Sequence, residues 1–201
     1  MSVLVGREAP DFTANAVMGD GEIKADFNLK QHIEGKYAVL FFYPLDFTFV
    51  CPSELIAFDH RIEEFTKRGV EVIGCSIDSH FTHNAWRNTA INNGGIGEVK
   101  YPLVADIDHS ICQAYDVEHP QAAVAFRGSF LIDNNGMVRH QVVNDLPLGR
   151  NIDEMLRMID ALQFTEEHGE VCPAGWKDGD KGMTATTEGV AEYLAEEADK
   201  L

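Results

Sequence analysis

Apolar positions run without a polar break from Tyr37 to Tyr43 (YAVLFFY), which predicts a strand buried on both faces and stopped by Pro44. From Pro52 the pattern turns helical. Leu55, Phe58, Ile62 and Phe65 recur at three- and four-residue spacing, and Arg68-Gly69 puts a base in the last turn and a glycine at its end. Val70 to Ile77 (VEVIGCSI) predicts the next strand, Asn84 to Asn92 a helix, Leu103-Val104 a short strand and Ser110 to Tyr115 a short helix. Strands at Val124 to Ile132 and Val138 to Val143 flank Asp133-Asn134-Asn135-Gly136, a turn signal that joins them into a hairpin. A further helix is predicted from Ile152 to Phe164, with Ile152, Met155, Leu156, Ile159 and Leu162 on or beside one face.

Strand, helix, strand, helix and strand, followed by a hairpin and a closing helix, describe an α/β domain with a mixed sheet. After His168 the composition shifts. Gly169, Gly175, Gly179, Gly182 and Gly189, with Pro173, mark a poorly regular arm that ends in an acidic helix near Val190 to Lys200. The expected organisation is one domain over residues 1–168 and a C-terminal arm over residues 169–201, the kind of segment that is mobile or docked on another surface.

Charge narrows the partners. With 33 acidic against 16 basic residues and a net charge of −17, the chain is repelled by phosphate backbones and anionic membranes, so neither nucleic acid nor membrane is expected. No run approaches the roughly 18 apolar residues of a membrane span. The segment MSVLVGRE lacks a basic stretch before an apolar core, which reads as a cytoplasmic chain without a secretory signal. The four cysteines, Cys51, Cys75, Cys112 and Cys172, show no C-x-x-C and no Cys/His pairing at zinc-ligand spacing. Neither a disulfide framework, a metal nor a cofactor is expected.

Cys51 is the position where a thiolate is best placed. It stands where the turn after the first long strand meets the helix, and Pro52 suits a first helical position because its missing N–H costs nothing there. The sulfur therefore lies near unpaired amides at the positive end of a helix, a setting that favours thiolate. Thr48, three residues upstream, is within reach of the sulfur or of a bound oxygen. Cys75, inside VIGCSI, and Cys112, beside Ile111, read as buried small hydrophobes. Cys172 sits in the irregular arm, where packing alone does not call for cysteine. Arg127, in an otherwise apolar strand, must have a carboxylate partner or a site to serve. The eight histidines read as surface or core residues, and Trp86 and Trp176 as packing or interface residues.

The stretch FFYPLDFTFVCPSEL resembles the peroxiredoxin active site, whose core spacing Pro44, Thr48 and Cys51 match, and HGEVCPAGW around Cys172 resembles the typical two-cysteine branch. The resemblance runs from Ala9-Pro10-Asp11-Phe12 to the arm. It implies a thioredoxin-like fold with an added N-terminal segment and C-terminal arm. It further implies that Cys51 attacks hydrogen peroxide or an alkyl hydroperoxide and becomes a sulfenic acid. Thr48, Val50, the Cys51 amide and Arg127 would bind the substrate, Pro44 would shield the sulfenate, and Glu54 and Arg150 would orient Arg127. Cys172 of the partner subunit would resolve the sulfenate in a homodimer, five of which form a decamer. A thioredoxin-like protein or a dedicated flavoprotein disulfide reductase would reopen the disulfide.

A magnitude limits what acidifying the thiol can achieve. A thiol of pKa about 8.5 is already roughly 7% thiolate near pH 7.4, and lowering its pKa to about 6 multiplies that only some 14-fold, or about 1.6 kcal/mol. The larger share of fast peroxide reduction is expected from groups that stabilise charge on the departing oxygen. Gly94-Gly95-Ile96-Gly97 resembles the loop of easily over-oxidised members, whereas their Tyr-Phe pair is here Tyr193-Leu194, so intermediate sensitivity is expected. Three other readings remain: a one-cysteine peroxidase, a thioredoxin-type reductase (Glu54 stands where its second cysteine belongs), and a non-enzymatic holdase.

Overall fold

The computed structural model describes residues 2–200. They divide into two compact units, one ending at Ile152 and the other beginning at Asp153. In the first, β1 (Thr13–Val17), β2 (Ile23–Asn28), α1 (Leu29–His32) and β3 (Tyr37–Phe42) lead into α2 (Cys51–His60), α3 (Ile62–Lys67), β4 (Val70–Ser76) and α4 (His80–Arg87). The unit continues with β5 (Leu103–Ala105), α5 (Ser110–Ala114), β6 (Arg127–Ile132) and β7 (Val138–Asn144). The seven strands form one sheet in the order β2-β1-β5-β4-β3-β6-β7. β3 and β5 run parallel to β4, whereas β6 is antiparallel to β3 and β7 to β6, so the sheet is mixed as expected.

The continuous apolar run becomes the central strand because both of its faces are covered. Ala38, Leu40 and Phe42 join Ile73, Cys75, Val104, Tyr115 and Phe130 in one buried cluster. Phe41 points the other way and stacks on Phe58 of α2, with ring centroids 4.2 Å apart. Parallel pairing of β3 with β4 then delivers the end of β3, and with it Pro44 to Val50, to the start of α2.

Several boundaries differ from the sequence reading. The predicted helix from Pro52 breaks at Arg61 (φ −109°, ψ 7°), where the Arg61 amide bonds Phe58 O and the turn tightens; Phe58 and Phe65 still both stay buried. α4 starts four residues before the expected Asn84 because Ser79 caps it, accepting from the Thr82 amide at 3.1 Å. Its buried face is His83, Trp86 and Arg87, two of them polar, which hides the periodicity. β6 starts at Arg127 instead of Val124, since Ala123 adopts φ +50° and residues 124–126 lie outside the strand. β1, β2 and α1 escaped notice: in β2 Phe27 alone is fully buried, so the strand carries no apolar run.

α6 (Ile152–His168), which belongs to the second unit from Asp153 on, runs four residues past the predicted end, and α7 (Thr187–Glu197) begins three earlier than expected, capped by the Thr186 hydroxyl on the Gly189 amide at 3.0 Å.

Packing beside β3 leaves no room at Gly74. A Cβ there would lie 2.9 Å from Phe41 Cζ and 3.0 Å from Leu103 Cδ2. Gly74→Ala is expected to cost about 1–3 kcal/mol, read from the urea midpoint at fixed protein concentration. An unmoved midpoint would show that the two side chains yield freely.

Candidate active site

Cys51 is the first residue of α2 and Pro52 the second; Val50 stands at the N-cap with no side-chain cap (φ −86°, ψ −36°). The helix thus begins one residue earlier than expected, which brings the sulfur itself into its first turn. Cys51 is fully buried. The Thr48 hydroxyl lies 3.0 Å from Cys51 Sγ and 2.8 Å from the Leu45 carbonyl, and its single proton serves one acceptor at a time. Arg127, from the first position of β6, aims Nη1 at the sulfur from 3.4 Å. In front lies an open groove of about 420 Å³ lined by Pro44, Thr48, Phe49, Val50, Arg127 and Leu146, among others.

Glu54, one turn along α2, organises both arginines. Its Oε2 accepts from Arg127 Nη1 at 2.6 Å and Arg150 Nη2 at 2.9 Å, and its Oε1 accepts from Arg150 Nε and the Arg150 amide, each at 2.9 Å. All three side chains are at most 4% exposed. Arg150 Nη1 donates further to the carbonyls of Phe42 (2.7 Å) and Gly128 (2.9 Å), tying the cluster to β3 and β6. Burial pulls the Arg150 guanidinium below its usual range, and Glu54 opposes this. Two cations against one carboxylate leave a buried excess of one positive charge, facing the sulfur. An anion there balances it.

The segment between Pro44 and Val50 is held by residues that sequence reasoning did not single out. Asp46 accepts from Tyr43 Oη at 2.8 Å and from His83 Nδ1 at 2.8 Å, and His83 Nε2 lies 3.1 Å from the Val104 carbonyl. The Asp46 amide donates to Asp78, which also takes the Ser76 hydroxyl. Burial pushes the Asp46 carboxyl up, with His83 countering. The available signal was the Ser79 cap: read from there, His83 falls on the face of Trp86 and Arg87. The structure therefore gathers Pro44, Thr48, Val50, Cys51, Glu54, Arg127 and Arg150 around one sulfur. Cys172 belongs to the second unit, where its Sγ lies 3.4 Å from the Ala161 carbonyl.

A family model described as "AhpC/TSA family" matches residues 5–141, and one described as "C-terminal domain of 1-Cys peroxiredoxin" matches residues 161–196. The chain is 59% identical over 199 residues to alkyl hydroperoxide reductase C of Helicobacter pylori, covering 99% of this chain and 100% of that protein. It is 50% identical over 193 residues to Peroxiredoxin-1 of Gallus gallus, covering 96% of each. The reduced 2-Cys peroxiredoxin of Plasmodium vivax superimposes with a TM-score of 0.93 at 50% identity, over 96% of this chain and 100% of that one. The chain belongs to the AhpC/TSA family.

As a member of that family it is a peroxiredoxin, an enzyme of the thiol-dependent peroxidase class, and its mixed seven-stranded sheet is the family's thioredoxin-like one. The remaining cysteines are core residues. Cys75 and Cys112 are fully buried, and burial drives both thiols well above their ordinary range, with Asp106 adding to it. Among the described residues, His109, Cys112 and Glu118 form the one trio of metal-ligating type, with ligand atoms within 4.8 Å of one another. Those atoms already serve each other or the backbone: His109 Nδ1 donates to Glu118 at 2.6 Å, and Cys112 Sγ to the His109 carbonyl. Trp86 and Trp176 are buried, and Trp86 holds the Gly94 carbonyl at 2.8 Å. A Cβ at Gly95 would meet the Thr89 carbonyl oxygen at 1.9 Å, so that position accepts nothing larger.

Two outcomes are expected of this member of the AhpC/TSA family. Glu54→Ala strands two buried guanidinium groups and should cost about 3–5 kcal/mol in urea unfolding; a loss within experimental error would mean that solvent reaches the cluster. Iodoacetamide at pH 8 on the folded protein should leave Cys75 and Cys112 unmodified by peptide mass spectrometry, and their labelling before unfolding would contradict the burial.

Proposed function

We propose that Cys51 is the peroxidatic cysteine of this peroxiredoxin, acting on hydrogen peroxide and alkyl hydroperoxides. The carrying observation is the convergence of Thr48 Oγ1 and Arg127 Nη1 on Cys51 Sγ, at 3.0 and 3.4 Å, above a cluster with one surplus positive charge. The Cys51 thiolate attacks one peroxide oxygen, the O–O bond breaks, and the sulfur leaves as a sulfenic acid while the departing alkoxide or hydroxide takes up a proton. Thr48, Arg127 and the Cys51 amide face the oxygen on which charge develops, Val50 lines the substrate groove, and Pro44 walls it. Glu54 and Arg150 act as positioning residues for Arg127.

Cys172 of the partner subunit then attacks the Cys51 sulfur, forming the disulfide and expelling the sulfenate oxygen as water. A thioredoxin-like protein or a flavoprotein disulfide reductase returns both thiols by exchange. The reading of residues 169–201 as a resolving arm, with the peroxidase domain before it at residues 1–168, rests on the irregular segment that carries Cys172. A homodimer, assembled further into a decamer, accords with two surfaces. β7 is an edge strand, and Phe47, Phe49, Phe81 and Ile107 expose between 50% and 97% of their surface. Among the described residues no helix is long and apolar enough to cross a membrane, in keeping with the proposed cytoplasmic location.

The family model for the C-terminal segment is described from one-cysteine proteins, so that reading is tested alongside. The reduced protein is given one equivalent of hydrogen peroxide, quenched within about a second, and mapped by non-reducing mass spectrometry. The expected product links Cys51 of one chain to Cys172 of another. Cys51 oxidised with Cys172 free would favour the one-cysteine reading, and an untouched Cys51 would end both. Arg127→Ala is expected to slow Cys51 oxidation by about 10²–10³, far beyond what any change in thiolate fraction accounts for. Equal losses in rate and in thiolate fraction would sink that division of roles.

A further inference from the structure

The second unit, taken by itself, holds Cys172 in a seat built from α6. Val171 and Met183 exchange both backbone hydrogen bonds, at 2.9 and 3.0 Å, which closes residues 171–183 into a loop with Cys172 at its base. The Cys172 thiol donates to the Ala161 carbonyl at 3.4 Å and lies 3.6 Å from the hydroxyl of Thr165, one turn further along the helix. Within the loop, Trp176 is 3% exposed and packs on Phe164 with ring centroids 4.8 Å apart. One charged side chain fastens the loop to the helix. Arg157 Nη1 donates to the Trp176 carbonyl at 2.8 Å, while Glu154 accepts from Nε and Nη2, each at 2.7 Å.

The two sets of bonds differ in purpose. Glu154 sits three residues before Arg157 on the same helix and already supplies the guanidinium with a bidentate carboxylate. The arginine therefore needs nothing from the loop for charge balance, and its bond to Trp176 serves to hold the loop. Taking Cys172 as the resolving thiol, we propose that Arg157 and Thr165 are positioning residues that set how quickly Cys172 becomes available. Arg157 latches the 171–183 loop to α6, and Thr165 with the Ala161 carbonyl seats the sulfur.

Disulfide formation brings the sulfurs to about 2.05 Å, with the attacking sulfur in line with the S–O bond it displaces. Cys172 is half-buried, and its S–H is directed at the Ala161 carbonyl beside the Thr165 hydroxyl, so these contacts are given up before the sulfur attacks in line. The latch thereby sets the lifetime of the Cys51 sulfenate. During that lifetime a second peroxide can transfer an oxygen to the sulfur, giving the sulfinic acid and leaving as water or alcohol.

The test begins where no peroxide chemistry takes place. In a Cys51→Ser background, iodoacetamide labelling of Cys172 is followed by peptide mass spectrometry at fixed pH. Arg157→Gln is expected to raise the rate by about tenfold, Arg157→Lys to fall between, and Thr165→Val to raise it by about two- to fivefold. With Cys51 restored, Arg157→Gln should speed the Cys51–Cys172 disulfide by a similar factor. It should leave the rate of Cys51 oxidation unchanged and lower the sulfinic yield at a given peroxide excess. If Cys75 becomes labelled as well, Gln has loosened the fold, and Arg157→Lys decides. Parental rates of labelling and resolution in the Arg157 variants, with the disulfide still forming, would overturn the latch and leave the role of Cys172 standing. Absence of the disulfide in the parent protein would instead remove the assignment beneath it.

Discussion

The carboxylate of Glu54, shared between two buried guanidinium groups, is the interaction on which the site depends. Its two oxygens accept four N–H groups, so its acceptor capacity is filled. That single side chain couples α2, which carries Cys51, to β6, which carries Arg127, and through Arg150 to the backbone of β3. A buried arginine is costly unless paired, and two are costlier. The fold tolerates them because Arg150 also spends Nη1 on backbone carbonyls and lies over the Phe41 ring at 5.0 Å. What remains is one unneutralised charge, aimed at a sulfur. The electrostatic driving force is thus stored in the fold before any substrate arrives.

Much of this was legible in the sequence because the chemistry is carried by unusual residues in telling places. Arg127 in an apolar strand demanded a partner, and Pro52 after Cys51 announced a helix start. The central strands were equally plain, since β3 is an unbroken apolar run and β4 is interrupted only by Glu71 before its terminal serine, both largely buried on two faces. The failures share one cause. β2 is an edge strand and β1 lies next to it, both with few buried side chains, and α4 buries His83 and Arg87 where a periodicity search looks for apolar residues. Asp46 was passed over for the same reason: a short acidic residue in a turn normally faces solvent, and here it is 6% exposed because His83 and Tyr43 meet it.

Anchoring the Pro44–Val50 segment by Asp46 complements the Glu54 cluster. Thr48 must reach both the Leu45 carbonyl and the Cys51 sulfur, which requires the backbone between them to hold one curvature. Asp46 fixes that curvature from the side of β4 and β5, through Asp78, Ser76 and the His83 bond to Val104. The sulfur is therefore approached from two independently braced elements, the loop before it and β6 across from it. In the proposed reaction, preorganisation of this kind would let the hydroxyl and the guanidinium act without rearrangement as charge moves onto the departing oxygen.

The same arrangement determines which part of α2 is able to move. Above Glu54 the first turn rests on the Val50 carbonyl, which takes the Ser53 amide at 3.1 Å and the Glu54 amide at 3.4 Å, and Val50 offers no side-chain cap. Below it, Leu55 and Phe58 are buried, Phe58 against Phe41 of β3 and against Tyr101, whose hydroxyl donates to the Leu55 carbonyl. Releasing residues 48 to 53 breaks the Thr48 and Arg127 bonds to sulfur but none of the bonds between Glu54 and Arg150. The cluster that holds Cys51 ready is thus also a stop against further unwinding.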